Sequence, residues 1–152
     1  MVASCGAATG GLDARTYVIE LTSSQFVSGY GGDLVPPLVS ALGRKGMRAV
    51  ENQDAEVVVN IVTDMDVGQW MWRGDEQKWI YTVRIMVGIS PVDYVIPEDG
   101  TPVFGVRVRL ETPNPDREDE LGCLIRLAAR TAVEQYRPAG MIELDGQECL
   151  RA

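Results

Sequence analysis

Three cysteines, three tryptophans and no histidine bound the chemistry open to this 152-residue chain. Without histidine the commonest general base, the commonest metal ligand and the usual pH switch are missing together. The carboxylates remain. Asp64-Met65-Asp66 lacks the glycine and distal glutamate of an EF-hand loop, so Asp64, Asp66, Asp75 and Glu76 read as solvated strand ends. "DREDE", Asp116–Glu120, reads as the charged first turn of a helix, where acids meet the positive end of the dipole, rather than as a catalytic pair. "SGYGGD", Ser28–Asp33, has the glycines of a phosphate nest but neither the Lys-Ser/Thr of a P-loop nor dinucleotide spacing. Arg73-Gly74-Asp75 is turn chemistry. The expectation is a protein with no catalytic residue, no cofactor and no metal. An enzyme would need three acids converging in one cleft with raised pKa values.

Charge narrows the partners. Fourteen basic residues against twenty-two acidic ones leave a net charge of −8, which repels a polyanion, so nucleic acid is not an expected partner. No apolar run approaches the ~18 residues that cross a bilayer. The length and the 45% hydrophobic content suit one domain with a single core.

Val2-Ala3-Ser4-Cys5 resembles a bacterial lipobox, in which an aliphatic residue and two small ones precede the cysteine that carries the lipid. "GAATGG", Gly6–Gly11, follows as a small-residue tether. Only Met1 comes before the motif, so the resemblance implies a basic and apolar leader upstream. It implies Cys5 as the lipidation site and a chain anchored in the cell envelope. With Gly6 rather than Asp after the cysteine, it implies the outer membrane, with the domain facing the periplasm. A cytosolic protein with an incidental Cys5 is the alternative reading.

Cys123 and Cys149 are left as a pair. On the helix predicted over residues 116–136, Leu121, Ile125, Ala128 and Ala132 mark the buried side. Cys123 falls about 160° away, near Arg130 and Glu134. A free thiol there is a liability in an oxidising compartment. The last dozen residues can extend ~35 Å, beyond the ~20 Å of helix between Tyr136 and Cys123. A Cys123–Cys149 disulfide is therefore expected, with Met141, Ile142 or Leu144 crossing Leu127 on the way.

Trp70 and Trp72 are two apart and share a face if their segment is a strand. Trp79 opens the next strand and lies close across the hairpin. Packed under helices, the three would complete an edge of the core. In solvent they would form a docking patch for a partner.

The elements that must position these residues follow from periodicity. "RTYVIEL" alternates Tyr17, Ile19 and Leu21. Leu34, Val35, Leu38, Val39 and Leu42 recur at helical spacing, with Asp33 or Ser28 as cap and Pro36-Pro37 in the first turn. An extra short strand is suggested at Met47–Val50, before a turn at "ENQD". "AEVVVNIVTDMDV" is a long strand that forms a hairpin, through Trp70–Asp75, with "KWIYTVRIMVGIS". The latter puts Trp79, Tyr81, Val83, Ile85, Val87 and Ile89 on one face. A turn at Glu98-Asp99-Gly100 leads to a strand with Phe104, Val106, Val108 and Leu110 inward and Arg107 and Arg109 outward. The final helix, capped by Asn114 or Asp116, buries Leu121, Leu124, Ile125, Ala128, Ala132 and Tyr136.

The predicted order is β-α-β-β-β-α. It makes an α+β two-layer sandwich, a mainly antiparallel four- to five-stranded sheet with both helices on one face. Residues 1–14 form the tether and 15–152 the single domain. "LVSALGRKGMRAVENQDAEVVVNIV", Leu38–Val62, resembles the small Gram-negative envelope lipoproteins grouped as domains of unknown function. It is similar, more faintly, to auxiliary lipoproteins of envelope transport and assembly machines. The resemblance implies a non-enzymatic lipoprotein that binds or positions an envelope protein partner, with Trp70, Trp72 and Trp79 as candidate contacts. The alternative is a small apolar-ligand binder with a pocket between sheet and helices, lined by Tyr17, Trp79, Tyr81 and Phe104.

Overall fold

A computed structural model of the chain describes residues 16–23, 31–50, 55–114 and 118–150. Cys5, the tether, the Ser28 cap, the first half of the Ser28–Asp33 loop, the "ENQD" turn and the Asp116 cap lie outside them. Among the described residues seven strands form one sheet: β1 Thr16–Ser23, β2 Arg48–Ala49, β3 Val57–Met65, β4 Gln69–Arg73, β5 Glu76–Pro91, β6 Phe104–Thr112 and β7 Gly140–Asp145. The α-helices among them are α1, Gly31–Arg44, and α2, Glu118–Glu134. The order across the sheet is β2-β1-β3-β5-β6-β7, with β4 paired to β5 off that path.

The sheet is mixed rather than mainly antiparallel. β1 runs parallel to both β2 and β3, and β6 runs parallel to β7, while β3, β4 and β6 are antiparallel to β5. Parallel neighbours need a long crossover. α1 supplies it after β1, and α2 supplies it between β6 and β7. The tail expected to drape over α2 is instead a strand, taking the open edge of β6 in register from Phe104↔Gly140 to Arg109↔Asp145. An open edge leaves backbone donors and acceptors unpaired, and a returning strand satisfies them.

The predicted face of the sheet is the one the helices cover. Val83, Ile85, Val106 and Val108 are buried in a core shared with Leu38 and Leu42 of α1 and Leu121, Leu124 and Ile125 of α2. Arg84 and Arg107 lie on the opposite, outer face, paired to Asp64 at 3.8 Å and Glu143 at 2.7 Å. α1 begins earlier than expected. Pro36 and Pro37 stand in its second turn, where each removes a ladder hydrogen bond, so the helix is held by burial of Leu38 and Leu42. The turn ahead of β6 is present: Gly100 donates its N–H to the Pro97 carbonyl at 2.9 Å.

Tyr17 is fully buried, and its hydroxyl has no hydrogen-bond partner among the described residues. Burial pushes its phenol above the ordinary value of 10.0. The folded chain then keeps a proton that the unfolded chain releases. That contribution to stability is complete below about pH 10 and is lost as pH rises from there through the raised folded value. Tyr17→Phe removes both the orphaned hydroxyl and the titration. Urea unfolding is expected to find it about 1 kcal/mol more stable near neutral pH, with a shallower fall in alkali. A less stable variant would mean that the hydroxyl has a partner.

Candidate functional site

β5 is 16 residues long, about 50 Å at strand rise. Its second half, Val83–Pro91, pairs with β3 inside the sheet. Its first half pairs with β4 through the registers Trp70↔Trp79 and Trp72↔Gln77. The result is a two-stranded ribbon, Glu76–Ile80 with β4, beyond the stretch of β5 that pairs with β6. Gly74, at φ 69°, and Asp75 close it between the paired Arg73 and Glu76. A glycine with positive φ at the first central position is what a type II′ hairpin turn requires.

A bulge separates β3 from β4. Asp66 donates its N–H to the Thr82 carbonyl at 3.1 Å, and Gln69 pairs with Ile80, so Val67 and Gly68 together oppose Tyr81 alone. The extra residue reverses the alternation of the strand. Core-facing positions are odd in β3 but even in β4. That reversal puts Trp70 and Trp72 on the same side as Trp79. The Asp66 carboxylate holds the bulge by accepting from the Gly68 N–H at 3.0 Å and the Thr82 N–H at 2.9 Å. Gly68 has φ 91°, and any Cβ there would overlap the Trp79 indole.

Of the two placements open to the tryptophans, the structure takes the exposed one. Trp70 is 62%, Trp72 65% and Trp79 39% accessible, and Trp70 meets Trp79 edge to face at 5.4 Å. Arg73, beside the tip, reaches Glu111 on β6 at 2.8 Å. Glu111 lies level with Thr82, about 20 Å of strand from Glu76. The ribbon must therefore curl toward the outer face, which carries its tryptophan side away from the domain. Glu111 also accepts from Arg109 at 2.7 Å.

Cys123 and Cys149 are joined, with Cα atoms 5.6 Å apart. The expected pairing is present, although β7 and a 3-10 turn, Gln147–Cys149, deliver Cys149 rather than an extended tail. The turn is seated by Gly146, which donates to the Arg109 carbonyl at 2.8 Å and packs against Leu124.

Two clefts formed by described residues open on the surface. The larger, about 450 Å³, lies on the outer face of the sheet, where Arg84, Arg107 and Arg109 face Asp64, Asp99 and Glu143 around Met86 and Pro102. Three acids thus share a cleft, but Asp64 and Glu143 are ion-paired there. Asp99 is held below the ordinary carboxylate value by the hydroxyl and N–H of Thr101. The raised pKa that acid catalysis asks for is not found at Asp99. The smaller cleft, about 220 Å³, lies between α1 and α2. Neither lies between sheet and helices, where Tyr17 and Phe104 are fully buried in the core.

Glu120 stands in the first turn of α2, as its charge run implies, but it is buried there. It is 1% exposed and accepts from the Thr112 hydroxyl at 3.0 Å and the Asn114 amide at 3.1 Å, tying the end of β6 to α2. Nothing in the run of acids from Asp116 distinguishes it. Among the described residues no acid or cysteine cluster could hold a metal ion, and no helix is long and apolar enough to cross a membrane.

The sequence matches no protein-family model and no curated protein. Solved structures of similar outline include a PelC dodecamer from Paraburkholderia phytofirmans, at 11% identity over 85% of this chain and 95% of that one, with a TM-score of 0.48. Another is a minor lipoprotein from Acinetobacter baumannii, at 13% identity over 81% and 89%, with a TM-score of 0.44. Likeness at this level assigns the chain neither a family nor a function.

Proposed function

We propose that the protein is a non-enzymatic binding module of the bacterial cell envelope, anchored through Cys5, that holds an envelope protein partner with its tryptophan ribbon. One observation carries the reading: Trp70, Trp72 and Trp79 are brought to one side of a projecting ribbon and left in solvent. Exposed tryptophan is costly in water and is the residue type that most often dominates protein contacts. The bulge and the arginine tether spend structure on that placement without adding to the core. The apolar-ligand alternative is weakened, because Tyr17 and Phe104 are packed rather than lining a cavity.

The anchor has its own test. Expressed in a Gram-negative host with its upstream reading frame, the protein is expected to incorporate labelled palmitate and to fractionate with the outer membrane. Cys5→Ser should release it. Labelling that survives the substitution rules out Cys5 as the anchor. Partner binding is tested by the ribbon variants described in the Discussion.

A further inference from the structure

We infer that the smaller cleft, between the two helices, is a phosphate-binding site distinct from the tryptophan ribbon. Its charged walls are Arg44 and Lys45 at the end of α1 and Arg126 and Arg130 on α2. Four of only fourteen basic residues meet there in a chain of net charge −8. Lys45 is paired with Glu134 at the rim. Arg44, Arg126 and Arg130 form no ion pair among the described residues. Arg44 has a local reason for its place, since it caps the negative end of the α1 dipole. Arg130 stands one turn before Glu134, but that acid is engaged by Lys45, and Arg126 has no acid one turn away on its helix. Arg126 and Arg130 are themselves one turn apart, a like-charge spacing that slightly destabilises a helix and that an anion between them would relieve.

The chemistry of the walls selects the anion. Guanidinium groups present forked donors that match the oxygens of phosphate or carboxylate. Donors from two helices line the cleft, and a tetrahedral phosphate offers acceptors in more directions than a planar carboxylate. Ala41, Leu127 and Cys123 also line the cleft, so the group attached to the phosphate is at least partly apolar. A soluble phosphomonoester and a lipid headgroup share this chemistry. Glu148, on the turn held by the disulfide, lines the cleft as well, while Glu134 at the rim is engaged by Lys45.

The test uses the full chain, labelled with 15N, titrated with sodium phosphate against sodium chloride at matched ionic strength. Saturable shifts are expected at the amides of Cys123, Leu127 and Arg130 with phosphate only. Arg126→Ala with Arg130→Ala, both exposed positions, should weaken the response at least tenfold while the spectrum stays folded. Co-sedimentation with phosphatidylglycerol vesicles, lost in the same double variant, assigns a lipid headgroup. A phosphate response without vesicle binding assigns a soluble phosphomonoester. No saturable response to phosphate, or one that survives the double variant, overturns the proposal, whatever the vesicles do. Neither outcome bears on the ribbon, which lies on other elements.

Discussion

Reduction of the Cys123–Cys149 bond is expected to lower the stability of the domain by about 3.5 kcal/mol, from the chain-entropy cost of a loop of this length. The two residues are 26 apart in sequence, and the bond closes over α2, β7 and the 3-10 turn. Its effect is larger than local because β7 is an edge strand, paired only to β6. Paired along its length to β6 and pinned beyond its C-terminal end by Cys149, the strand is held against fraying. The domain should stay folded after reduction, because α1, α2, β1, β3, β5 and β6 keep their shared core. A urea midpoint lower by about 2 M is the corresponding shift for a domain of this size. Under denaturing, non-reducing conditions one thiol should titrate if Cys5 is unmodified, and three after reduction. Three without reductant would mean no bridge, and the argument for an oxidising compartment would weaken with it.

Trp72→Ser is expected to reduce partner binding at least 30-fold, which is about 2 kcal/mol, the threshold of a hot-spot residue. Trp72 is the cleanest position. It faces Gln77 across the ribbon and stands 65% exposed, so its loss should leave the fold and the urea midpoint unchanged. Trp70→Ser also breaks the edge contact with Trp79, worth about 1 kcal/mol to the ribbon, and is the less specific probe. Gly68→Ala supplies an independent route. It leaves all three indoles in the chain but drives the Trp79 ring off the bulge, and it should weaken binding through misplacement alone. In-cell cross-linking of the anchored full-length protein is the readout. A species trapped by the wild type should vanish with Trp72→Ser and Gly68→Ala, and persist with Arg126→Ala. Cross-links indifferent to Trp72 would remove the ribbon from the function.

Much of the architecture was legible in one dimension because it follows from local periodicity. Alternation in Val83–Ile89 and Phe104–Leu110 marks the buried face, since one face of each strand meets water and the other does not. Helical phase sets Cys123 off the main buried stripe of α2, and together with the cysteine count and the reach of the tail it points to Cys149 as the partner, although Cys123 itself packs against the core. Even the turn at Gly74-Asp75 is written in residue types.

Other features depended on neighbours distant in sequence. Strand direction is one: nothing in "MIELD" says that Met141–Asp145 will run parallel to β6, because pairing is decided by which edge is left open once the helices have crossed over. The parallel β1–β3 pair has the same origin. The tryptophans are the second case. Their spacing put Trp70 and Trp72 on one face whatever the fold. Whether that face met helices or water turned on a single bulged residue and on Arg73 reaching Glu111. A one-residue slip reverses every side chain beyond it, and the hydrogen bonds of Asp66 to Gly68 and Thr82 help to hold that slip in place. Glu120 is the third, one acid among several in sequence, buried because β6 ends beside it. Sequence alone determined which residues could share a face, since side-chain period is a property of the local backbone. Tertiary structure decided which faces are covered, since burial belongs to pairs of elements and not to either one.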